Sequence, residues 1–481
     1  MHLLPNNGST VQAGELRVGS NKLVITLTDC ATQAVQPNTI TIACNIKKNP
    51  AKQSLLIVLL FMQGICFGQQ PLTLDTAIAI ALKNSYDIEV AKNNVEAASL
   101  YNSYGIAGGL PVVTGTATDR EQVNAVNQKI STGEIINRQA AAGNTATAGL
   151  QGSILLYNGM RVVATKHRLE ELEKQNQEFL NASIVNTIAT VMTQYYDVVR
   201  QQSYLRTLDT SISVGQQRVD IIKTQLSVGL ANNADLYQSQ LDLNALIQSK
   251  KIQELTIEQA KTSLLTTLTL KPDSNIVITD TIIVDSSLML ETVMNNVYRS
   301  PDVVAASMQV TINELIMKET AAQRYPSLYA NAGFNYNRSQ TAAGNVLLNQ
   351  SYGPYVGVSL SVPIYNGGVY KRQQKVAEIN TKNAQLQQNI LVRDNSSNAV
   401  RNYETYQKSL QQLQLQRESY ALAKQLLDLV LLKFQLRVAT IVDVKNAQES
   451  FANAGFLLVN MSYAAKAAEI EMKRLTYQLG F

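Results

Sequence analysis

Side chains able to carry redox or metal chemistry are scarce in this chain and lie near one end of it. All three cysteines, Cys30, Cys44 and Cys66, precede residue 67. The rest of the chain therefore has neither a disulfide framework nor a thiolate metal site available. The net charge of +5 over 481 residues is small and dispersed, so the composition does not favour a nucleic-acid partner.

Histidine offers no better metal or catalytic centre. His167 is the only histidine after His2, so no second imidazole exists to share a metal ion. It lies in the charged run from Lys166 to Lys174, whose simplest interpretation is a solvated helix face with i,i+4 pairs. The sequence also contains no nucleophile elbow and no phosphate-binding loop. We therefore predict no enzyme, no cofactor and no metal site.

Two aspartates stand out because they occupy equivalent places. Asp235 and Asp443 are 208 residues apart, and each follows the predicted end of a long helix. An acidic side chain at the start of the next helix would favour the helix dipole. The predicted helices around the two aspartates decide which side chains lie near them.

Those elements repeat along the chain. Residues Val198 to Leu226 carry an apolar residue at every seventh position, and Tyr406 to Phe434 carry the same pattern 208 residues later. A seven-residue apolar period indicates a helix that packs in a left-handed supercoil. The same offset relates the Tyr-Asn-Gly at residues 157–159 to that at residues 365–367. The sequence therefore predicts an internal duplication with a large repeat unit.

The N-terminal region has the pattern of an export signal. Three lysines between residues 47 and 52 precede the apolar run Leu55 to Met62, and small residues follow up to Gly68. This is the order of a secretory signal peptide. We predict a signal peptide at residues 47–68 and a mature chain that begins at residue 69. Cys66 as a lipidation site is the less favoured alternative, because the preceding residue is not small.

The remaining chain is divided by the duplication. Residues 1–46 are interpreted as upstream sequence from a mis-assigned start, and the alternative is a real N-terminal extension. The first structural repeat is predicted at residues 69–275, an inter-repeat linker at residues 276–287 and the second repeat at residues 288–481.

Each repeat is predicted to contain a helix followed by a β-hairpin. Alternating apolar residues predict strands at about 110–119, 146–157, 327–336 and 353–365. The polar stretch that ends at Asn144 is interpreted as a loop. If the apolar faces turn to lipid, the pattern fits a transmembrane barrel, but four strands are too few to close one. The chain is therefore expected to oligomerise.

A very long helix is predicted after each hairpin. Neither Gly nor Pro occurs at residues 160–214 or 369–454. A continuous helix from Arg161 to Ser227 would reach ~100 Å at about 1.5 Å per residue. Return helices are predicted at about 233–270 and 441–479, after tips near residues 229 and 437. Helices of this length fit the wall of a tunnel that extends away from a membrane.

Short motifs in a constant order connect these elements with a known family. They are "LLYNG" at residues 155–159, "VGLANNADLYQSQ" at 228–240, "VPIYNGG" at 362–368 and "ATIVDVKNAQ" at 439–448. Over residues 71–481 the chain resembles the TolC family of outer-membrane efflux proteins. The resemblance implies a mainly α fold with a β-barrel portion. Four strands per protomer would complete a trimeric twelve-stranded outer-membrane barrel, and long coiled-coil helices would form a periplasmic tunnel, with residues 271–287 in a belt around its middle.

The resemblance also implies a function and partners. The chain would be the passive exit duct of a tripartite efflux or type I secretion system, located in the cell outer membrane and extending into the periplasm. Its partners would be two further copies of itself, a periplasmic adaptor protein, an inner-membrane transporter and outer-membrane lipid. The alternative is a secreted or periplasmic coiled-coil scaffold without channel activity, which should be soluble without detergent.

The helix tips are the first set of site residues that the resemblance implies. Val228, Gly229 and Leu230 match the family's tip that helps to meet the adaptor. The second tip has the residues Leu436, Arg437 and Val438, which depart from that pattern. The competing interpretation is that Gly229 only ends a helix.

The second set of site residues lies at the tunnel end that is closed in the family. Asp443 matches the first of its acidic residues, and Asn446 stands where a second aspartate can occur. Three copies of Asp443 would attract cations over a Debye length of ~8 Å. Phe434, just before the second tip, is the third candidate for this periplasmic constriction. The competing interpretation is that Asp443 and Asp235 are only helix-start charges.

Overall fold

The computed structural model describes residues 18–19, 22–23, 72–344 and 346–479. The chain divides into two units, residues 1–70 and 71–481. In the first unit, Val18–Gly19 pairs antiparallel with Lys22–Leu23. The rest of the predicted upstream extension and the predicted signal peptide at residues 47–68 lie outside the described residues.

The second unit contains one order of elements twice. Its first repeat contains α1 (Leu74–Asn84), α2 (Tyr86–Tyr101), β1 (Val112–Lys129), β2 (Ile135–Tyr157), α3 (Arg161–Ser227) and α4 (Asn233–Thr267). Its second repeat contains α5 (Leu290–Asn296), a 3₁₀ turn (Val297–Arg299), α6 (Pro301–Ala322), β3 (Ser327–Thr341), β4 (Leu348–Ser361), α7 (Val369–Gln435) and α8 (Ile441–Leu475). Helices α3 and α7 have 67 residues each, and α4 and α8 have 35 each. The equal lengths of equivalent helices agree with the internal duplication.

The four strands form one antiparallel sheet in the order β1-β2-β3-β4. The two hairpins are therefore joined edge to edge through β2 and β3, which pair over Gly143↔Thr341 to Tyr157↔Leu328. This pairing leaves β1 and β4 as the two outer strands of the sheet. The outer edges carry backbone groups that the sheet itself does not pair.

The first hairpin is longer than the sequence pattern predicts. We interpreted residues up to Asn144 as a loop, yet β1 runs to Lys129 and β2 begins at Ile135. The ladder continues through Arg120↔Thr145 to Lys129↔Ile135. Backbone pairing does not require an apolar face, whereas alternation of apolar residues reports only a face that is buried or in lipid. The polar half of the hairpin is therefore missed by the pattern.

The sheet has one apolar face and one polar face. On β4, Val356, Val358 and Leu360 are exposed on the apolar face, and the residues between them point to the other side. On the polar face, the Asn331 amide donates to Ser359 Oγ at 3.0 Å. The predicted division of the strands into an apolar and a polar face is therefore present.

The heptad residues form the seams between the long helices. Tyr406, Leu413, Leu427 and Phe434 are buried on α7, and Val198 is fully buried on α3. Leu427 packs with three residues of α3 and α8 in one apolar cluster, namely Val214, Ala447 and Phe451. The seams therefore hold the two helix pairs of one chain together. Among the described residues, no helix combines the length and apolar character needed to cross a membrane.

The single helix that the sequence predicts before the first hairpin is two helices, α1 and α2. Ser85 has an extended backbone with φ −62° and ψ 124°, and its hydroxyl accepts from the Ile88 N–H at 3.5 Å. It thus ends α1 and caps α2. The sequence has neither Gly nor Pro at this break, so the helical pattern of apolar residues gave no sign of it.

The linker between the repeats packs along the helices. The Leu72 N–H donates to Val277 O at 2.8 Å, and Ile278 is buried with Ala77 and Leu264. Further along, the Asp285 N–H donates to the buried Glu469 at 2.9 Å. Main-chain and apolar contacts to both repeats therefore fix the linker.

Candidate functional site

Both long helices end in the same backbone motif. At the end of α3, the Leu230 N–H donates to Gln225 O at 2.7 Å, and Gly229 has φ +74°. At the end of α7, the Val438 N–H donates to Lys433 O at 2.8 Å, and Arg437 has φ +62°. This is the Schellman motif, which places its C′ residue in the left-handed region. The second tip departs from the first in residue type and keeps its backbone geometry.

Arg437 adopts the left-handed conformation at an energetic cost. A non-glycine residue in this region is less stable than glycine by about 1 kcal/mol. At Gly229 an added Cβ would meet nothing within 4 Å, so glycine is required there for its backbone and not for space. Strained positions of this kind often occur where a side chain has a function.

The tips present apolar side chains to solvent. Val228, Leu230, Leu436 and Val438 are all more than half exposed. Between the tips lies a groove of 430 Å³, lined by Asp220, Ile221, Thr224, Val228, Gln435 and Arg437. Exposed apolar residues next to a polar rim are typical of a protein contact surface. The six residues predicted as tips thus lie at one end of the helical part of the chain.

Asp443 starts helix α8 in a capping box. The Thr440 N–H and hydroxyl donate to Asp443 Oδ2, both at 2.8 Å, and the Asp443 N–H donates to Thr440 Oγ1 at 3.2 Å. These hydrogen bonds, with the backbone one as the largest cause, lower the pKa of the Asp443 carboxyl below its usual value. The carboxylate is nevertheless exposed. It is therefore a helix-start residue that also presents a charge to solvent.

Asp235 starts α4 in a different way. Its N–H donates to Asn232 Oδ1 at 2.8 Å, so an asparagine side chain caps α4 where a threonine caps α8. Both aspartates lie in the first turn of their helices, as the helix-start interpretation requires. Asn446 lies one turn after Asp443 and is also exposed. The exposed positions 443 and 446 are thus neighbours on α8.

Phe434 does not share this exposed surface. Its side chain is 6% exposed and packs with Ile222 and Val444 in an apolar cluster of α3, α7 and α8. The assignment of Phe434 to the constriction stays a prediction; within one protomer its side chain lies in the helix seam. A heptad position points to the helix seam, so burial within one chain is the expected consequence of the period.

A buried ion cluster near the tips was not found from the sequence. Arg218 is fully buried and donates from Nη2 to Asp242 Oδ2 at 2.9 Å. Lys445 Nζ lies 3.5 Å from Asp242 Oδ1. Burial lowers the pKa of Arg218, and Asp242 opposes this change. The Asp242 carboxylate thus links α3, α4 and α8, the helix that carries Asp443.

One sequence signal of this cluster was available. Arg218 directly precedes Val219 of the heptad and lies between the buried residues Val214 and Ile222. A charged residue within an apolar seam is rarely buried without a partner. Asp242, 24 residues later on the return helix, is that partner.

Comparison with known proteins agrees with this architecture. Residues 297–476 match the family model described as outer membrane efflux protein. An uncharacterized protein of Haemophilus influenzae is 24% identical over 354 residues, which cover 72% of this chain and 74% of the relative. The outer membrane protein TolC of Vibrio cholerae is 21% identical over 347 residues, covering 69% and 78%. The crystal structure of CusC, a transmembrane channel, superposes with a TM-score of 0.71 at 18% identity, covering 85% of this chain and 92% of CusC.

The fold is therefore that of the outer membrane efflux channels. The chain carries an outer membrane efflux protein domain in its second repeat and is related to TolC, which confirms the predicted resemblance. The solved structures that share the fold include the outer membrane channel CmeC of Campylobacter jejuni.

Proposed function

We propose that the chain forms a homotrimeric exit channel of the outer membrane. The observation that carries the proposal is a four-stranded sheet with an apolar face, a polar face and two outer strands, β1 and β4. In lipid, both edges must find backbone partners. Pairing β4 of one copy with β1 of the next is a head-to-tail contact that closes into a ring. Three copies would then contribute twelve strands.

The helical part supports the same assembly. On α7, a second series with seven-residue spacing, Leu415, Leu422 and Leu429, is exposed. On α4, a set of exposed apolar residues lies at the opposite border of the helical layer, namely Tyr237, Leu241, Ile252 and Leu255. A heptad of leucines is typical of a helix seam. In the proposed ring, α7 of one copy would pack against α4 of the next.

We further propose that the tips are the docking site for a periplasmic adaptor protein, through which the duct meets an inner-membrane transporter. The exposed apolar residues Val228, Leu230, Leu436 and Val438 and the adjacent groove support this role. The long helices α3 and α7 would extend ~100 Å away from the membrane at about 1.5 Å per residue. The tips would therefore be the part of the duct farthest from the outer membrane. The duct would serve a tripartite efflux or type I secretion system.

Reconstitution into a planar lipid bilayer tests the proposed function. We expect the purified chain to require detergent to stay in solution and to have the mass of three protomers in that detergent. In the bilayer it should give discrete ion conductance. A coiled-coil scaffold, the competing candidate, would stay in solution without detergent. The absence of conductance from a protein of trimer mass would also contradict the proposal.

We also propose that Asp443 sets the ion preference of the periplasmic end, with Asn446 beside it. The change Asp443→Asn should lower the cation selectivity of the reconstituted channel and weaken its block by multivalent cations. The amide oxygen of asparagine retains an acceptor for the Thr440 N–H, so the helix start is preserved. Reversal potentials in a salt gradient measure the selectivity.

Because the pKa of Asp443 is lowered, wild-type selectivity should persist below about pH 4, where an ordinary aspartate is protonated.

Asp235→Asn is the matched control for this experiment. It removes the same charge from the start of the equivalent helix α4, and it should change selectivity little. Equal effects of the two substitutions would mean that both carboxylates act only as helix-start charges.

A further inference from the structure

A groove lies on the apolar face of the sheet. It has a volume of 460 Å³ and is lined by residues of β1, β2 and β3. Its walls are the larger side chains of Leu150, Phe334 and Tyr336, and its floor includes Gly115 and Ala117. A chain of methylene groups could lie in such a groove with contacts on several sides, whereas a flat apolar face offers contact on one side only.

The pairing register fixes what lies at the end of this groove. Leu150 stands opposite Phe334, Ala148 opposite Tyr336, and Ala146 opposite Arg338. Residues two apart on a strand share a face. Arg338 is therefore on the groove face, directly after Tyr336 and on the side of the hairpin turns. The lining of the groove ends at Tyr336, and Arg338 is the next residue of β3 on the same face.

Arg338 is available to an anion. Its side chain is exposed, and within the described residues it donates to Gln340 Oε1 at 3.1 Å and forms no ion pair. Two acidic groups, Asp119 and Glu121, lie on the same face on β1, and both accept from the Asn144 amide, at 2.7 and 2.8 Å. Asp119 is separated from Arg338 by one intervening strand, a distance of ~10 Å at the usual strand spacing. The acidic pair therefore does not occupy the guanidinium.

We infer that this groove and Arg338 bind one molecule of a phosphorylated glycolipid of the outer leaflet, with an acyl chain in the groove and a phosphate on the guanidinium. The inference rests on the proposed function, which puts the helices in the periplasm and hence the hairpin turns at the cell exterior. Arg338 and Tyr336 then lie toward the outer leaflet. Lipid A has the required chemistry, because its phosphates are attached to the sugars that carry its acyl chains. A guanidinium binds phosphate with two parallel hydrogen bonds, which gives the site specificity.

Native mass spectrometry of the full-length protein in detergent tests the inference, with purified diphosphoryl lipid A as the probe. Wild type should retain the lipid, and Arg338→Gln should weaken binding about tenfold, the effect of losing a charge-assisted hydrogen bond. Arg120→Gln is the matched control. Arg120 is one residue beyond Asp119 on β1, so it lies on the polar face of the same sheet, and its loss should leave lipid binding unchanged.

A second pair of variants tests the groove without changing charge. Ala148→Phe should fill the groove and weaken lipid A binding. Ala330→Phe adds the same ring to the apolar face opposite Ile154 and Val358, away from the groove, and should not weaken it. The inference is overturned if Arg338→Gln and Arg120→Gln bind alike, or if phosphatidylglycerol binds as tightly as lipid A. All four variants are also assayed for conductance. A wild type that does not conduct contradicts the channel, whereas conducting proteins with unaltered lipid binding contradict only the lipid site.

Discussion

Replacing Asp242 with leucine should destabilise the helical part of the protein by about 3 kcal/mol or more, the usual cost of leaving a buried charge unpaired. Arg218 is fully buried, and Asp242 is its ion-pair partner at 2.9 Å. Its Nε and Nη1 atoms have no hydrogen-bond partner among the described residues. The remaining Arg218 guanidinium would thus lose the one carboxylate that pairs with it directly in the part of the chain that the structure describes. The midpoint of urea unfolding, followed by helical circular dichroism, measures the change.

Two controls separate the buried charge from a general effect of substitution. Asp209 pairs with Lys250 between the same helices, but the two side chains are 48% and 32% exposed. Asp209→Leu should therefore cost less than about 1 kcal/mol. The double variant Arg218→Met with Asp242→Leu should recover most of the loss, because it removes both charges. If the double variant were as unstable as Asp242→Leu alone, the ion pair would not be the cause.

The buried pair illustrates which parts of this fold a single sequence reveals. The helices α3 and α4 were predicted at residues 161–227 and about 233–270. In the structure they lie at Arg161–Ser227 and Asn233–Thr267. Heptad period and the positions of glycine and proline determine these bounds locally. Arg218 and Asp242 are 24 residues apart on two helices. Their pairing depends on how the helices pack, which no local pattern reports.

The strands were predicted only in part. Their apolar halves were predicted because alternation marks a face that is removed from water. The polar half of the first hairpin, from Arg120↔Thr145 onward, pairs through its backbone without an alternation of apolar residues. The turn of this hairpin contains Gly133 at φ +87°. A glycine between two polar segments is a known sign of a hairpin turn, so the sequence did contain a signal for this turn. The burial of Phe434 within one protomer also follows from its heptad position.

The candidate site was partly predictable for the same reasons. The tips follow from the end of each helix and from the offset of 208 residues, which makes Arg437 the equivalent of Gly229. The sequence alone showed only that the residues of the second tip depart from the Val-Gly-Leu pattern of the first. The structure has φ +62° at Arg437 and the same hydrogen bonds as the first tip. Tertiary contacts of α7 with α3 and α8, such as the cluster of Ile222, Phe434 and Val444, hold the backbone there.

Replacing Leu415 and Leu422 together with aspartate should abolish the trimer while the protomer stays folded. Leu422 is 66% exposed in one chain, so its loss should cost a single protomer little, whereas two carboxylates in a helix seam between copies would be desolvated without partners. Mass in detergent should fall from three protomers to one, with helical circular dichroism retained. Lys424→Asp, at an exposed position two residues from Leu422 and therefore on another face of the same helix, should leave the trimer intact. Leu413→Asp, at a position 3% exposed in the protomer, should instead reduce helicity. A trimer that survives the double substitution would show that α7 faces solvent and that the sheet edges alone hold the copies together.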